Sequence, residues 1–251
     1  MNFPALVCGA VLMGSGAASL AQTPPSHPQA EVDGQVLAAE LWAQAPAQDL
    51  TNRAVLRVRM SRGPWHDQPV LIRIFTTPEG WTSIYETVAT TNQPHRQLIL
   101  KRGSAGEQEY HLVTTPAGPG AVVRETLTDA ETMVPFADSD FWVADLGLEF
   151  LRWPTQRLLR SELRRSRSCD VLESVTAAPA PDGYARVRSW IDKNTGGIVY
   201  AEAFDAHGKL LKEFLPKTVK KIQDRWELKE MEIINRQTGS RSRLVFELEP
   251  Q

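Results

Sequence analysis

The sequence predicts a mainly β protein with a few helices: a single curved antiparallel sheet of about eleven strands, or an open barrel, covered by helices. Three observations carry this. From Tyr184 to Glu249, strand-like runs are separated by turn compositions at Asn194-Thr195-Gly196-Gly197, Ala206-His207-Gly208-Lys209, Gln223-Asp224 and Gln237-Thr238-Gly239-Ser240. Apolar and polar residues alternate between these turns, the period-2 signature of an antiparallel meander. The same period starts at Asn52, and it breaks only between Met133 and Leu163, where helical spacing intrudes.

The chain opens with MNFPALVCGAVLMGSGAASLA, which holds no Asp, Glu, Lys or Arg. Ser19 and Ala21 are small residues at the third-last and last positions of a signal-peptidase site. Residues 1–21 therefore read as a signal peptide, with export to the periplasm and Gln22 as the mature N-terminus. A transmembrane anchor is the competing reading; Pro4, Gly9, Gly14 and Gly16 interrupt the run against it. Cys8 lies in this segment, so Cys169 is left alone after cleavage and no internal disulfide is possible. A lone cysteine at a strand start reads as a small buried apolar residue rather than a nucleophile.

Residues 22–31 are proline-rich and read as a flexible leader, and residues 32–251 as a single domain. Val32 to Ala45 carries Val36, Leu37, Leu41 and Trp42 at helical spacing, with Asp33 as a candidate N-cap and Pro46 as a stop. Strands are expected at Arg53–Met60, Pro69–Thr76, Trp81–Ala89, Gln97–Lys101, Glu107–Thr114 and Ala121–Thr126. Next, Ser139 or Asp140 can cap a short helix over Phe141–Leu146 that Gly147 ends. A second short helix is expected at Leu148–Arg152, before Pro154. A strand from Cys169 to Thr176 leads into the closing meander. A sheet of this length curls, and its concave face must be covered.

The 251 residues suit one domain of about 150–250 residues. The net charge of −2, with both signs mixed along the chain, argues against nucleic acid as a partner. The five histidines form no HxH or HExxH pair, and there is no CxxC, so no metal and no cofactor is expected. No G-x-S-x-G elbow and no glycine loop leading into a helix is present. Asp138, Asp140 and Asp145 are the best carboxylate cluster. They allow a catalytic pair; the structural alternative is a helix cap at Asp140 and a tie from Asp145 to a strand residue such as an arginine. Arg157, Arg160, Arg164, Arg165 and Arg167 suit anionic head groups at a membrane surface, against the plainer reading of a solvated helix face.

Ser139-Asp140-Phe141-Trp142-Val143-Ala144-Asp145-Leu146 resembles the S-D-F-x-x-x-D-L helix start of the outer-membrane lipoprotein-sorting protein family. That family has the fold of the periplasmic lipoprotein carriers of the Lol system. The resemblance continues in Trp190-Ile191-Asp192-Lys193, in Ala203-Phe204-Asp205 with Gly208-Lys209-Leu210-Leu211-Lys212, and in the final strands from Trp226 to Leu248. It implies an unclosed half-barrel of about eleven strands, with a helical lid over an apolar cavity that takes acyl chains.

The alternating apolar residues supply candidate lining for such a cavity. These are Leu56, Val58 and Met60 on the first strand, and Ile72 and Ile74, beside Val70, on the second. Ile84 and Val88 follow on the third strand, Leu98 and Leu100 on the fourth, and Phe141 and Leu146 in the lid. A filled core is the plainer alternative. The expectation is a non-catalytic periplasmic carrier or binding protein for a lipid or lipoprotein acyl chain. Its expected partners are those acyl chains and an envelope membrane protein or anionic membrane surface, and the chain is read as a monomer. A structural or interaction module of the envelope, with the same fold and no ligand, is the main alternative. An envelope hydrolase would need a nucleophile–base pair that the sequence does not suggest.

Overall fold

The computed structural model describes residues 27–89, 93–222 and 225–247. The expected signal peptide, its cleavage site and the Gln223-Asp224 turn lie outside the described residues. The described chain forms thirteen strands, where about eleven were expected. The first six are β1 (Leu50–Arg59), β2 (His66–Thr77), β3 (Gly80–Thr87), β4 (His95–Gly103), β5 (Gln108–Thr115) and β6 (Val123–Leu127). The other seven are β7 (Thr155–Arg164), β8 (Arg167–Val175), β9 (Arg186–Asp192), β10 (Ile198–Phe204), β11 (Leu210–Ile222), β12 (Arg225–Asn235) and β13 (Arg241–Phe246).

All thirteen belong to one sheet, in the order β6-β5-β4-β3-β2-β1-β13-β12-β11-β10-β9-β8-β7. Neighbours in the order are neighbours in sequence, except where β1 pairs antiparallel with β13, from Ala54 opposite Phe246 to Arg59 opposite Arg241. This one non-local pairing joins two meanders. It also sends β6 and β7 to opposite edges of the sheet although they follow each other in sequence. Residues 128–154 must therefore cross the concave face, and the topology alone makes this segment a cover.

The expected arginine helix face does not exist. Arg157, Arg160 and Arg164 lie on β7, Arg165 in the following turn and Arg167 on β8. Each is engaged. Arg157 pairs with Glu31 at 3.1 Å, Arg160 with Glu162 at 2.6 Å and Arg167 with Asp192 at 2.5 Å. Arg164 lies over the rings of Trp190 and Tyr200, and Arg165 donates to the Pro216 carbonyl at 2.6 Å. The two aromatic rings belong to a small apolar cluster with Cys169 and Val171, in which the free Cys169 is fully buried.

Helix α1 (His27–Trp42) begins five residues before the expected start. Pro28 falls in its first turn, where a missing N–H costs nothing. Asp33 is therefore inside the helix, accepting from Gln29 at 2.7 Å rather than capping. The buried stripe is Gly34, Ala38 and Leu41, while Val36 is 53% exposed. Small residues on that stripe bring the helix close to β7. A Cβ at Gly34 would stand 2.5 Å from the Arg157 nitrogen.

The concave face holds one continuous core, in which Leu56, Ile72, Leu98 and Leu100 pack with the cover and with α1. Ile74 is buried as well, and Val58 is partly buried against this core. Three expected lining residues stand elsewhere. On β3 the inward parity belongs to Ser83, Tyr85 and Thr87, which are buried, so Ile84 lies on the opposite face beside Arg73 and Ile99. Val88 follows the end of β3 and is 49% exposed; Met60 follows the end of β1 and is 60% exposed. Met60 keeps the inward parity of Leu56 but lies past the last paired residue of β1, whereas Val88 shares the outward parity of Ile84.

Candidate functional site

The crossing segment is built from short-range turns. Pro135 bridges Trp142, and the Phe136 N–H donates to the Phe141 carbonyl at 2.8 Å, closing a tight loop with Ala137 and Asp138 at positive φ. Helix α2 (Val143–Gly147) follows. Asp145, in its first turn, reaches back to the Trp142 N–H at 2.8 Å, satisfying a donor that the helix start leaves free. Leu148, in the left-handed conformation at φ 53°, ends the helix in place of the expected Gly147. Gly147 has a different role: a Cβ there would meet the Tyr110 ring at 2.6 Å, so its lack of a side chain lets the lid settle on β5. A 3₁₀ turn at Glu149–Arg152 completes the crossing.

Two polar clamps hold this lid. The first joins it to the C-terminal half of the sheet. Asp140, read from the sequence as a helix cap, instead accepts from the hydroxyls of Ser240 at 2.6 Å and Ser242 at 2.8 Å. Lys212, on β11 and only 3% exposed, donates to the Asp140 carbonyl at 2.7 Å and stands 3.6 Å from Asp145. Its ammonium lies 3.4 Å from the centre of the Trp142 ring, a cation–π contact. Tyr184 stacks on Trp142, centroids 4.7 Å apart, and donates its hydroxyl to Asp145. The carboxylate tie foreseen for Asp145 is made with this lysine and tyrosine. Burial lowers the Lys212 pKa to about 8, opposed by Asp145; burial likewise raises Asp145, opposed by Lys212.

The second clamp joins the lid to the N-terminal half. Arg102 on β4 is 7% exposed and donates to the Gly147 carbonyl at 3.2 Å, the Trp42 carbonyl at 3.1 Å and Gln108 at 2.8 Å. Its guanidinium lies 3.4 Å from the Trp42 ring centre. Burial lowers its pKa to about 10, which leaves it charged at neutral pH. Beside it, Glu149 accepts the Tyr110 hydroxyl and has Arg152 at 3.5 Å. Burial raises Glu149 to about 7. The remaining carboxylate of the cluster, Asp138, is an exposed partner of Arg96 at 2.8 Å.

Between lid and sheet lies an apolar cavity of about 40 Å³. Phe141, Leu146, Leu148 and Phe150 border it from the lid, and Val187, Ile198, Phe214, Met231 and Ile233 from the sheet. Lys212, Asp145 and Tyr184 form a polar corner; Glu202, which accepts from the Tyr200 hydroxyl, and Glu213, which pairs with Arg236, also border the cavity. Of the residues expected to line a cavity, Phe141 and Leu146 are at this one; the residues of β1 to β4 are not among its walls. Sequence reasoning missed the C-terminal walls and the Lys212 corner. Tyr184 also borders an open cleft of about 300 Å³ flanked by Glu149, Arg152 and Trp153. His111, on the opposite face of the sheet, contacts Thr126 and Glu109, and no group of metal-binding side chains occurs among the described residues.

A family model described as uncharacterized-protein-like matches residues 123–248, which is half of the chain. No curated protein matches. The fold is similar to that of a DUF1329 family protein from Desulfovibrio piger, with 18% identity over 87% of this chain and 91% of that one, TM-score 0.68. It is also similar to an outer membrane lipoprotein-sorting protein domain from Vibrio parahaemolyticus, with 19% identity, 87% and 92% coverage and TM-score 0.66. A LolA superfamily protein from Nitrosomonas europaea matches at 14% identity, 87% and 92% coverage and TM-score 0.59. The chain thus belongs to the uncharacterized-protein-like family whose model spans residues 123–248, and its lidded half-barrel is the fold of the LolA-type lipoprotein-sorting structures.

Proposed function

We propose that this protein is a non-catalytic periplasmic carrier that shelters an acyl chain of a lipid or lipoprotein under its lid. The observation that carries this reading is the apolar cavity between lid and sheet, on a fold shared with lipoprotein-sorting proteins. In this reading residues 1–21 are an export signal, residues 22–31 lead into the domain, and the domain is complete in one copy. Acyl chains enter beside Tyr184, and an envelope membrane or membrane protein supplies and receives them.

At about 40 Å³ the cavity is closed to any whole acyl chain, which needs a pocket on the order of several hundred Å³. Loading therefore requires the lid to lift. Exposing Phe141, Leu146, Leu148 and Phe150 costs about 6–12 kcal/mol, at about 1.5–3 kcal/mol per side chain. A saturated chain of about fifteen methylenes recovers about 12 kcal/mol at about 0.8 kcal/mol each. The apolar terms are of similar size, so an acyl chain offsets the exposed lid residues, while the two polar clamps keep the empty protein shut.

The small cavity also favours a second reading, an envelope interaction module with a filled core and no ligand. Native mass spectrometry of protein purified from the periplasm, with titration of a fluorescent fatty acid, separates the two. Co-purifying acyl species and saturable binding are expected. A clean protein with no binding would leave the interaction module.

A further inference from the structure

Lys212 is a buried ammonium whose partners nearly all belong to the lid. The Asp140 carbonyl, the Asp145 carboxylate and the Trp142 ring are lid groups. On the sheet side the described contact is the Tyr184 ring, 5.4 Å away. Tyr184 shares the dependence, because its hydroxyl donates to Asp145 at 2.9 Å and 3.2 Å. Lifting the lid removes these partners together. An ammonium and a phenol are then left at the edge of apolar walls formed by Val187, Ile198, Met231 and Ile233. An uncompensated charge in such a setting is strongly unfavourable, so the open state calls for an incoming anion.

The lid itself indicates which anion fits. The group that satisfies both Lys212 and Tyr184 in the closed state is a carboxylate, held at a polar corner of a mainly apolar cavity whose border also includes Glu202 and Glu213. We propose that Lys212 and Tyr184 form a carboxylate-binding subsite, filled by Asp145 when the lid is closed and by the carboxylate of a fatty acid when it is open. The acyl tail then lies along Val187, Ile198 and Met231, and closed and loaded states exchange one carboxylate for another. This rests on the acyl-carrier reading and narrows it to ligands with a free acid group. In the closed state burial, opposed by Asp145 and Asp140, sets the Lys212 pKa at about 8, which keeps most of the group protonated at neutral pH.

The test compares palmitate, methyl palmitate, hexadecanol and hexadecyl phosphate as competitors for a fluorescent fatty acid on the full-length mature protein at neutral pH. Palmitate is expected to bind at least about tenfold tighter than the ester or the alcohol, the difference a charge-assisted hydrogen bond makes. Lys212→Met is expected to remove that preference while keeping ester and alcohol binding. The selectivity is read on the wild-type chain, so the test stands even if the variant does not fold. Equal binding of acid, ester and alcohol would overturn the carboxylate subsite and leave the carrier reading intact. A preference for hexadecyl phosphate over palmitate would overturn the carboxylate assignment. Binding of none of the four would remove the carrier reading and the subsite with it.

Discussion

The Tyr184 hydroxyl donates to both carboxylate oxygens of Asp145, at 2.9 Å and 3.2 Å, and so bonds the sheet side of the cavity directly to the lid. Tyr184 is 1% exposed, and removing its hydroxyl leaves a buried carboxylate short of a donor. Tyr184→Phe keeps the stack on Trp142 and should cost about 1–3 kcal/mol. For a domain of this size that lowers Tm by about 2–4 °C per kcal/mol. Thermal unfolding followed by circular dichroism measures it; an unchanged Tm would mean that water or Lys212 replaces the bond.

Asp140 joins the lid to Ser240, just before β13, and Ser242, on β13, through their hydroxyls, with donor–acceptor distances of 2.6 Å and 2.8 Å. Asp140→Ala should destabilise by about 1–3 kcal/mol, since it removes the acceptor of both serine hydroxyls, although Ser240 keeps its contact with Thr238 and Ser242 still accepts from the backbone N–H of residue 140. Asp140→Asn, which keeps an acceptor, should lose less. Hydrogen exchange is the discriminating readout. Amides of residues 133–152 should lose protection in the alanine variant while those of β2 to β4 keep theirs; uniform loss across the sheet would show that Asp140 supports the whole fold and not the lid attachment.

The approach of α1 to β7 depends on Gly34. An added Cβ would meet backbone atoms of Gln156 and Arg157 at 2.5–2.6 Å, and backbone cannot swing aside as a side chain can. Gly34→Ala should therefore raise the helix off the strand and cost about 1–3 kcal/mol, against the intrinsic gain that alanine brings to a helix. Protease cleavage within residues 27–42 should accelerate in the variant. Resistance equal to wild type would show that the packing relaxes around the methyl group.

Much of the sheet was legible because its alternation is strong on β1, β2 and β4, where Leu56, Ile72 and Leu98 point inward as read. On β3 both parities carry apolar residues, Trp81 and Tyr85 on one and Ile84 on the other. Hydropathy alone cannot choose between them; the flanking Ile72 and Leu98 draw Tyr85 inward. β7 was hidden because its arginines read as a polar helix face, and only pairing with β8 makes the segment a strand. The candidate site was legible in part. Asp145 announced a tie, but its partners Lys212 and Tyr184 lie on other elements that meet it only once the chain has crossed the sheet.

Glu149 makes stability depend on pH in a direction opposite to most carboxylates. Burial raises its pKa from the ordinary 4.5 to about 7, while its hydrogen bond with Tyr110 and the nearby Arg152 oppose that rise. Between these two values the folded protein keeps a proton that the unfolded chain has released. Stability from this group is therefore full below about pH 4.5, falls as pH rises, and is gone above about pH 7, a swing on the order of 3 kcal/mol at most. Glu149→Gln retains an oxygen to accept from Tyr110 and does not titrate. Asp49, Glu131, Glu162 and Asp205, whose pKa values are lowered, titrate in the acid range and are common to both proteins, so their effect cancels in a comparison. The Tm of Glu149→Gln relative to wild type should rise by several degrees between pH 5 and pH 8. A difference that stays constant across that range would mean that Glu149 is ionised in the folded protein throughout, with Arg102 and Arg152 holding its charge.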